Sequence, residues 1–127
     1  MSKKIKVEEF AQDLELDIIL PGDKEKITVN ETEICRPGLQ FSGYFNYFEH
    51  NRVQMVGLVE YMYMHEQTPE YRKEIFEKYF SYDLPCIIVT RDLEPHQEFL
   101  DAAKKAGVPV FKSKEPTTQL KQKLLNL

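Results

Sequence analysis

The segment 86–111 constrains the fold of this chain more than any other. Residues 86–90 form a short continuous apolar run, which is typical of a parallel strand buried on both faces. A helical pattern follows and ends at Gly107, and Val108–Phe111 predicts a second strand. The apolar face of that helix consists of Phe99, Leu100, Ala103 and Ala106. Such strand–helix–strand units are almost always parallel and right-handed, so the sequence predicts an α/β fold.

The same patterns place the other elements. Strands are predicted at about 16–20, 27–29, 34–35 and 52–57, and helices at about 6–14, 58–66, 69–80 and from Thr117 or Thr118 onward. Thr68 and Pro69 form a helix start, and either Asp92 or Glu94 is expected to cap the helix after the buried strand. Together these elements predict a single domain with a mainly parallel sheet and flanking helices.

Composition excludes several classes of function. The chain has 127 residues, a formal net charge of −4 and a pI of about 5.4. A nucleic-acid surface needs clustered Lys and Arg, which are scattered here, so we expect no nucleic-acid partner. No apolar run approaches the roughly 18 residues that a membrane span needs, and we expect no membrane association.

The N-terminus and the cysteines indicate the compartment. Lys3, Lys4 and Lys6 are followed at once by acidic residues, and we expect this stretch to be solvated and frayed. The N-terminus lacks the apolar core of a signal peptide. Cys35 and Cys86 are too few for a disulfide framework, and Cys86 is expected to be a buried, inert thiol. These features favour a cytoplasmic protein.

Three segments carry a family resemblance. They are residues 34–48, which contain Arg36-Pro37-Gly38 and a run of aromatic residues; residues 52–57, followed by a helix that bears Glu60; and residues 85–95, followed by a helix and residues 107–110. In this order and spacing the chain resembles the N-terminal domain of HPr kinase/phosphorylase. The resemblance covers nearly the whole chain, so residues 1–127 are expected to form that domain. A final helix at the end of the sequence fits a cut at a domain linker.

The resemblance implies a bacterial regulatory enzyme. Members of this family use ATP or pyrophosphate to phosphorylate a serine of HPr, the phosphocarrier of the sugar phosphotransferase system, and they remove that phosphate by phosphorolysis. This serine kinase reaction, a phosphoryl transfer, controls carbon catabolite repression and so regulates carbohydrate metabolism. The family forms homo-hexamers and keeps ATP and magnesium in a C-terminal P-loop domain. HPr is therefore an expected partner of the full-length enzyme.

The sequence departs from the catalytic pattern of that family. A P-loop needs GxxxxGK[ST], because backbone amides must wrap the phosphates while Lys and Ser or Thr reach phosphate and metal. None of the five glycines is followed directly by Lys. We therefore expect these residues to be inactive alone, without a cofactor, and to act as a regulatory and assembly module. The fold is also similar to the uridine-nucleotide-binding domain of some Mur ligases, so the alternative is a module that binds a nucleotide or a sugar phosphate.

Candidate ligand contacts lie in two loops. Arg36 can hold a phosphate or carboxylate, and Gly38 permits close backbone approach. Ser42, in the same segment, is a further candidate ligand contact. The alternative is a rigid turn whose Arg36 forms a structural ion pair. Thr90 and Arg91 follow the buried strand, where open α/β sheets bind ligands at a switch in strand order. The alternative there is that Thr90 and Asp92 cap the helix while Arg91 is solvated.

The aromatic segment and the histidines complete the candidates. Tyr44 and Tyr47 are expected near the surface as interface residues, and Phe45 and Phe48 are expected to point inward. The spacing of the three histidines matches no metal site, and no nucleophile accompanies them. We therefore predict no catalytic residue and no metal ligand in this chain.

Overall fold

A computed structural model describes residues 3–29 and 33–127. Among these residues, no helix combines the length and the apolar character that crossing a bilayer requires. The elements in chain order are β1 (Lys3–Lys6), α1 (Val7–Asp13), β2 (Asp17–Leu20), β3 (Lys26–Val29), β4 (Ile34–Cys35), α2 (Gly38–Phe41), β5 (Val53–Val56), α3 (Leu58–His65), α4 (Pro69–Tyr79), β6 (Ile87–Val89), α5 (Gln97–Ala106), β7 (Val110–Lys112) and α6 (Thr117–Leu125).

The central sheet has five strands in the order β2-β7-β6-β5-β4. Strands β4 to β7 are parallel neighbours, and β2 joins β7 as an antiparallel edge strand. Strands β1 and β3 form a separate antiparallel pair. The predicted α/β fold with a mainly parallel sheet is confirmed, and β6–α5–β7 is the unit that the sequence indicated most clearly.

Both faces of the parallel strands are buried. Val53 and Met55 of β5 pack on the side of α1 and α6, whereas Val56 packs on the side of α2 to α5. The strands β4 to β7 follow one another across the sheet in chain order. Because right-handed crossovers that advance in one direction lie on one face, α2 to α5 share a face and leave the other to α1 and α6.

The helix ends agree with the sequence where the signal is local. The hydroxyl of Thr68 accepts a hydrogen bond from the Tyr71 amide at 3.1 Å, and Pro69 is the first residue of α4. Gly107 ends α5 with a φ of 73°, a conformation that favours glycine. Cys86 is fully buried, and burial raises the pKa of its thiol, as expected for an inert cysteine.

Three expectations about element ends are wrong. The residue before α5 is His96, without a side-chain cap, because Asp92 and Glu94 are both directed to the ammonium group of Lys112. Neither threonine caps α6: Pro116 precedes the helix, and Thr117 is its first residue. The N-terminal lysines are not frayed, since residues 3–6 form β1.

The pairing of β1 has a simple cause. Ile5 lies opposite Ile27 of β3, and both side chains are buried while the neighbouring lysines remain exposed. Alternation of apolar and polar residues over four positions is the pattern of a half-buried strand. Ile5, the apolar residue among the lysines, therefore determines that residues 3–6 pair with β3 as a strand. The charges of the lysines do not prevent this pairing.

A buried hydrogen bond links α4 to β5. The hydroxyl of Tyr79 donates to Gln54 Oε1 at 2.8 Å, and both side chains are fully buried. The amide of Gln54 donates in turn to the carbonyls of Arg52 and Glu49 at 2.9 and 3.2 Å. Burial raises the pKa of Tyr79 well above its ordinary value, so the hydroxyl remains a donor.

Tyr79→Phe is expected to lower the free energy of unfolding by about 1–2 kcal/mol, because it leaves the buried oxygen of Gln54 without a donor. Urea denaturation followed by circular dichroism measures the change. Tyr82→Phe is the control, since the structure records no hydrogen bond of the Tyr82 hydroxyl among the described residues, and its effect should stay within about 0.5 kcal/mol. Equal effects of both variants would contradict the assignment.

Candidate functional site

The carboxyl edge of the sheet is organised by one ion pair. Arg36 follows β4, and its guanidinium donates from Nε to Glu60 Oε1 at 2.7 Å and from Nη2 to Glu60 Oε2 at 2.9 Å. The side chain of Glu60 is 5% exposed and that of Arg36 is 49% exposed. The hydrogen bond to Glu60 raises the pKa of Arg36, so the guanidinium stays charged. The two-point contact ties the end of β4 to α3.

A glycine makes room for this pair. A Cβ atom on Gly57 would lie 2.7 Å from Arg36 Nη2 and 3.2 Å from Glu60 Oε2. At Gly38 the nearest atom to such a Cβ would be Glu60 Cγ at 3.6 Å, which is ordinary contact. The close approach that the sequence suggested for Gly38 is therefore required at Gly57, the residue that precedes α3.

Three of the candidate ligand residues lie around one groove. Arg36, Gly38 and Ser42 line a depression of about 490 Å³ between α2 and α3. Its other walls are formed by Leu39, Val59, Glu60 and Tyr63. The hydroxyl of Ser42 donates to the Leu39 carbonyl at 2.7 Å, and Arg36 holds Glu60. Both polar groups therefore already have partners within the domain.

Thr90 and Arg91 do not line that groove. The hydroxyl of Thr90 is buried and donates to the Val56 carbonyl at 2.9 Å, so it fastens the end of β6 to β5 and caps no helix. Arg91 is exposed, and Arg91 and Asp92 both have positive φ, at 57° and 55°. Because β4 to β7 run across the sheet in chain order, these four strands contain no reversal that would open a crevice beside Thr90.

The aromatic segment divides as the sequence suggested. Tyr44 and Tyr47 are exposed, Tyr47 to 93%, whereas Phe48 is buried and Phe45 is half-buried. Phe45 stacks on Tyr82 at 5.5 Å between ring centroids, and Lys78 Nζ lies over the Phe45 ring at 4.7 Å from its centroid. The two tyrosines are thus free to contact another molecule, while the phenylalanines hold the segment to the core.

A histidine pair joins α3 to α5. His65 Nδ1 and His96 Nε2 are 3.1 Å apart, and the ring of Tyr61 stacks on His96 at 4.7 Å between centroids. Arg72 of α4 donates to the Gln67 carbonyl at 2.7 Å and contacts Glu98 of α5 at 2.6 Å. Sequence reasoning missed this junction because its members come from three helices and share no local spacing.

The junction disfavours a charged His96. Burial lowers the pKa of His96 from its ordinary value of 6.5, and the nearby charge of Arg72 lowers it further. Among residues 3–29 and 33–127, no group of three or more His, Cys, Asp or Glu side chains is placed to hold a metal ion. The described junction is therefore a pair of hydrogen-bonded imidazoles in which His96 favours the neutral state.

A second depression, of about 290 Å³, lies at the amino edge of the sheet. Its polar walls include Asp23, Lys24, Lys26, His50 and Asn51. Asp23 and Lys24 precede β3, Lys26 is its first residue, and His50 and Asn51 precede β5, so no sequence motif announces the set. Both signs of charge line the depression, which gives it no clear preference for an anion or a cation.

The fold and this edge define a class before any comparison. The chain is an α/β domain whose carboxyl edge is held by internal ion pairs and hydrogen bonds, and its sequence contains no phosphate-wrapping glycine loop. A model of the family described as HPr Serine kinase N terminus matches residues 5–127. The chain belongs to that family.

Curated relatives extend this result. The HPr kinase/phosphorylase of Clostridium novyi is 41% identical over 123 residues, which are 97% of this chain and 40% of the relative. That of Caldanaerobacter subterraneus is 38% identical over 124 residues, which are 98% of this chain and 41% of the relative. The chain therefore spans about two-fifths of the length of the curated relatives it matches, and it corresponds to their N-terminal domain.

A solved structure shares the fold. It contains the CBS and DRTGG domains of the regulatory region of Clostridium perfringens pyrophosphatase, complexed with the activator diadenosine tetraphosphate. The TM-score is 0.59 at 13% sequence identity, and the match covers 94% of this chain and 46% of that chain. At this identity the likeness extends to the fold alone.

Arg36→Ala is expected to lower the free energy of unfolding by about 2 kcal/mol, because it leaves the buried carboxylate of Glu60 without its partner. Chemical denaturation measures the loss. Arg91→Ala is the matched control, since Arg91 is exposed and its side chain has no ion pair recorded in the described part of the chain. A loss of equal size in both variants would show that the ion pair contributes nothing specific.

The histidine pair predicts a pH dependence. The folded-state pKa of His96 lies below 6.5, so the unfolded chain binds more protons as the pH falls below that value, and stability is lost in that direction. The melting temperature should therefore drop between about pH 7.5 and about pH 5.5. His96→Gln should make this part of the profile flatter, whereas His50→Gln, outside the junction, should leave it as in the unmodified chain.

Proposed function

We propose that this chain is the N-terminal regulatory and assembly domain of a bifunctional HPr serine kinase/phosphorylase. The observation that carries the proposal is the match of residues 5–127 to the family, together with relatives that are named HPr kinase/phosphorylase and are about two and a half times as long. The parent enzyme would act on HPr in the cytoplasm as a homo-hexamer and control carbon catabolite repression.

Two features support a non-catalytic role for these residues. Phosphoryl transfer depends on positioned backbone amides, a lysine and a metal ion, and the sequence has no GxxxxGK[ST] loop to supply them. Two cationic side chains at the carboxyl edge are engaged within the domain, Arg36 on Glu60 and Lys112 on Glu94, whereas Arg91 is exposed there. ATP and magnesium would therefore bind outside these 127 residues.

A small-ligand module is the second candidate. Its support is the groove that brings together Arg36, Gly38 and Ser42. Against it, an anion that enters the groove must compete with the carboxylate of Glu60 for the same guanidinium. The C. perfringens regulatory region is complexed with a dinucleotide, but the likeness to this chain concerns the fold. The assembly role is therefore the proposal that the geometry supports better.

A chimera tests the proposal. The N-terminal two-fifths of the C. novyi relative is replaced by this chain, and the product is compared with the 127-residue chain alone. Each protein is incubated with HPr, ATP and magnesium, and phosphoserine on HPr is detected by mass spectrometry. We expect the chimera to phosphorylate HPr at a rate similar to that of the unmodified relative, and the chain alone to give no product.

Turnover by the chain alone would overturn the non-catalytic role. A chimera that is folded but inactive and not hexameric would contradict membership in the assembly. Melting curves with ATP, uridine diphosphate and inorganic phosphate test the second candidate function, the small-ligand module. A ligand that binds the folded state raises the melting temperature by mass action. No shift at millimolar ligand is the result expected for an assembly domain.

A further inference from the structure

The depression at the amino edge of the sheet is lined by charged groups that do not pair with one another. Its volume of about 290 Å³ is surrounded by the exposed residues Asp23, Lys24, Lys26 and Asp83. In the part of the chain that the structure describes, none of these four side chains forms an ion pair or a hydrogen bond. At the carboxyl edge, by contrast, Arg36 holds a carboxylate of the same domain. Charges of both signs are therefore left available to a ligand at the amino edge.

Two glycines determine where the Asp23 carboxylate lies. The Asp23 amide donates to the Gly107 carbonyl at 3.0 Å, and a Cβ atom on Gly107 would collide with the Asp23 carboxylate. A Cβ atom on Gly22 would likewise lie 2.8 Å from the ring of Pro109. The carboxylate therefore lies against the last residues of α5, where the helix dipole places partial negative charge. Negative charge from both sources favours a bound cation at this point.

Another wall of the depression is basic. Lys6 of β1 and Lys26 of β3 are direct partners in the antiparallel pair, and Lys26 and Thr28 line the depression. Because Ile5 and Ile27 face the core, the two lysines share the outer face of the pair. Like charges directly opposite each other destabilise a sheet. An anion bound beside Lys26 would reduce this repulsion.

The rest of the depression is mainly apolar and is held together by a hydrogen bond. Its apolar lining includes Leu84, Pro85, Val108 and Pro109. His50 Nδ1 donates to the Asp83 carbonyl at 3.1 Å, which joins the loop before β5 to the loop before β6. Ligand pockets are mostly apolar with a few polar groups, and their volumes begin near 300 Å³. The depression therefore fits a small molecule that carries an apolar part beside its charged groups.

We propose that this depression binds a free α-amino acid with a small apolar side chain. The ammonium group contacts the carboxylate of Asp23, the carboxylate contacts Lys26, and the side chain packs on the apolar lining. Two aspartates and two lysines sum to zero charge, as does the zwitterion. A metal cation or a simple anion would satisfy one wall and be repelled by the other. The inference goes beyond the proposed function, because it concerns the edge of the sheet away from Arg36 and a ligand without phosphate.

Nuclear magnetic resonance of the ¹⁵N-labelled 127-residue chain tests the proposal, with L-alanine, L-valine and L-leucine as the probes. At least one amino acid should shift the amide signals of Asp23 and Gly107 in a saturable way and leave that of Ser42 unchanged. Isobutylamine and isovalerate are L-valine without its carboxylate and without its ammonium group. Each should bind about tenfold more weakly than L-valine, because one wall is left without its counter-charge.

Asp23→Asn and Lys26→Gln should each raise the dissociation constant of the amino acid by about tenfold. Both residues are exposed, so the melting temperature without ligand should stay close to that of the unmodified chain. Asp101→Asn and Lys121→Gln are the matched controls, since they remove the same charges from exposed positions outside the depression. These two variants should bind the amino acid as the unmodified chain does.

Three results would each overturn the proposal. The first is the absence of saturable shifts at Asp23 and Gly107 with all three amino acids. The second is binding of isobutylamine or isovalerate as tight as that of L-valine, which would show that the depression recognises a single charge. The third is equal weakening by the control variants, which would show that the net charge of the chain, and not the depression, determines binding.

Discussion

The ion pair between Arg36 and Glu60 sets the rotation of α3 about its own axis. Glu60 can be buried only because a guanidinium reaches both of its oxygens, since an unpaired carboxylate in the interior is far less stable. An inward Glu60 turns Leu58 and Met62, two positions away on either side, toward the outside. The exposed apolar arc of the helix is thus a consequence of a buried charge pair.

That pair also depends on the sheet beneath it. Arg36 follows β4, and Gly57 follows β5, so the parallel pairing of these strands places the guanidinium directly above the glycine. A side chain at position 57 would separate Arg36 from Glu60. The hydroxyl of Thr90 in turn fastens the end of β6 to β5, through its hydrogen bond to the Val56 carbonyl. The carboxyl edge, where many open sheets bind ligands, is here closed by contacts between neighbouring strand ends.

The sequence predicts the parts of this fold that depend on neighbouring residues. Thr68 caps α4 and Gly107 ends α5 because each signal lies within one turn of the helix that it affects. Burial on both faces makes β6 a continuous apolar run, which identifies it without any partner strand. Phe48 is buried and Tyr47 is exposed, as their residue types predict without knowledge of distant contacts.

Features that join distant residues could not be predicted in this way. Arg36 and Glu60 are 24 positions apart, and His65 and His96 are 31 apart, so no spacing rule connects them. The cap expected at Asp92 or Glu94 is absent because α5 begins only at Gln97, and both carboxylates instead contact Lys112 from the next strand. β1 was missed because its pairing with β3 depends on a single apolar residue, Ile5, among lysines.

The distribution of charge links these observations to a role. At the carboxyl edge the charged groups of Arg36, Glu60 and Lys112 are held by partners in the domain, which leaves little to grip a polar substrate. Beside that edge, α2 and α3 present apolar side chains to the outside without any free charge. A domain that satisfies its own polar groups and exposes apolar ones is suited to contact with protein. This balance supports the proposed assembly role of these residues over a chemical one.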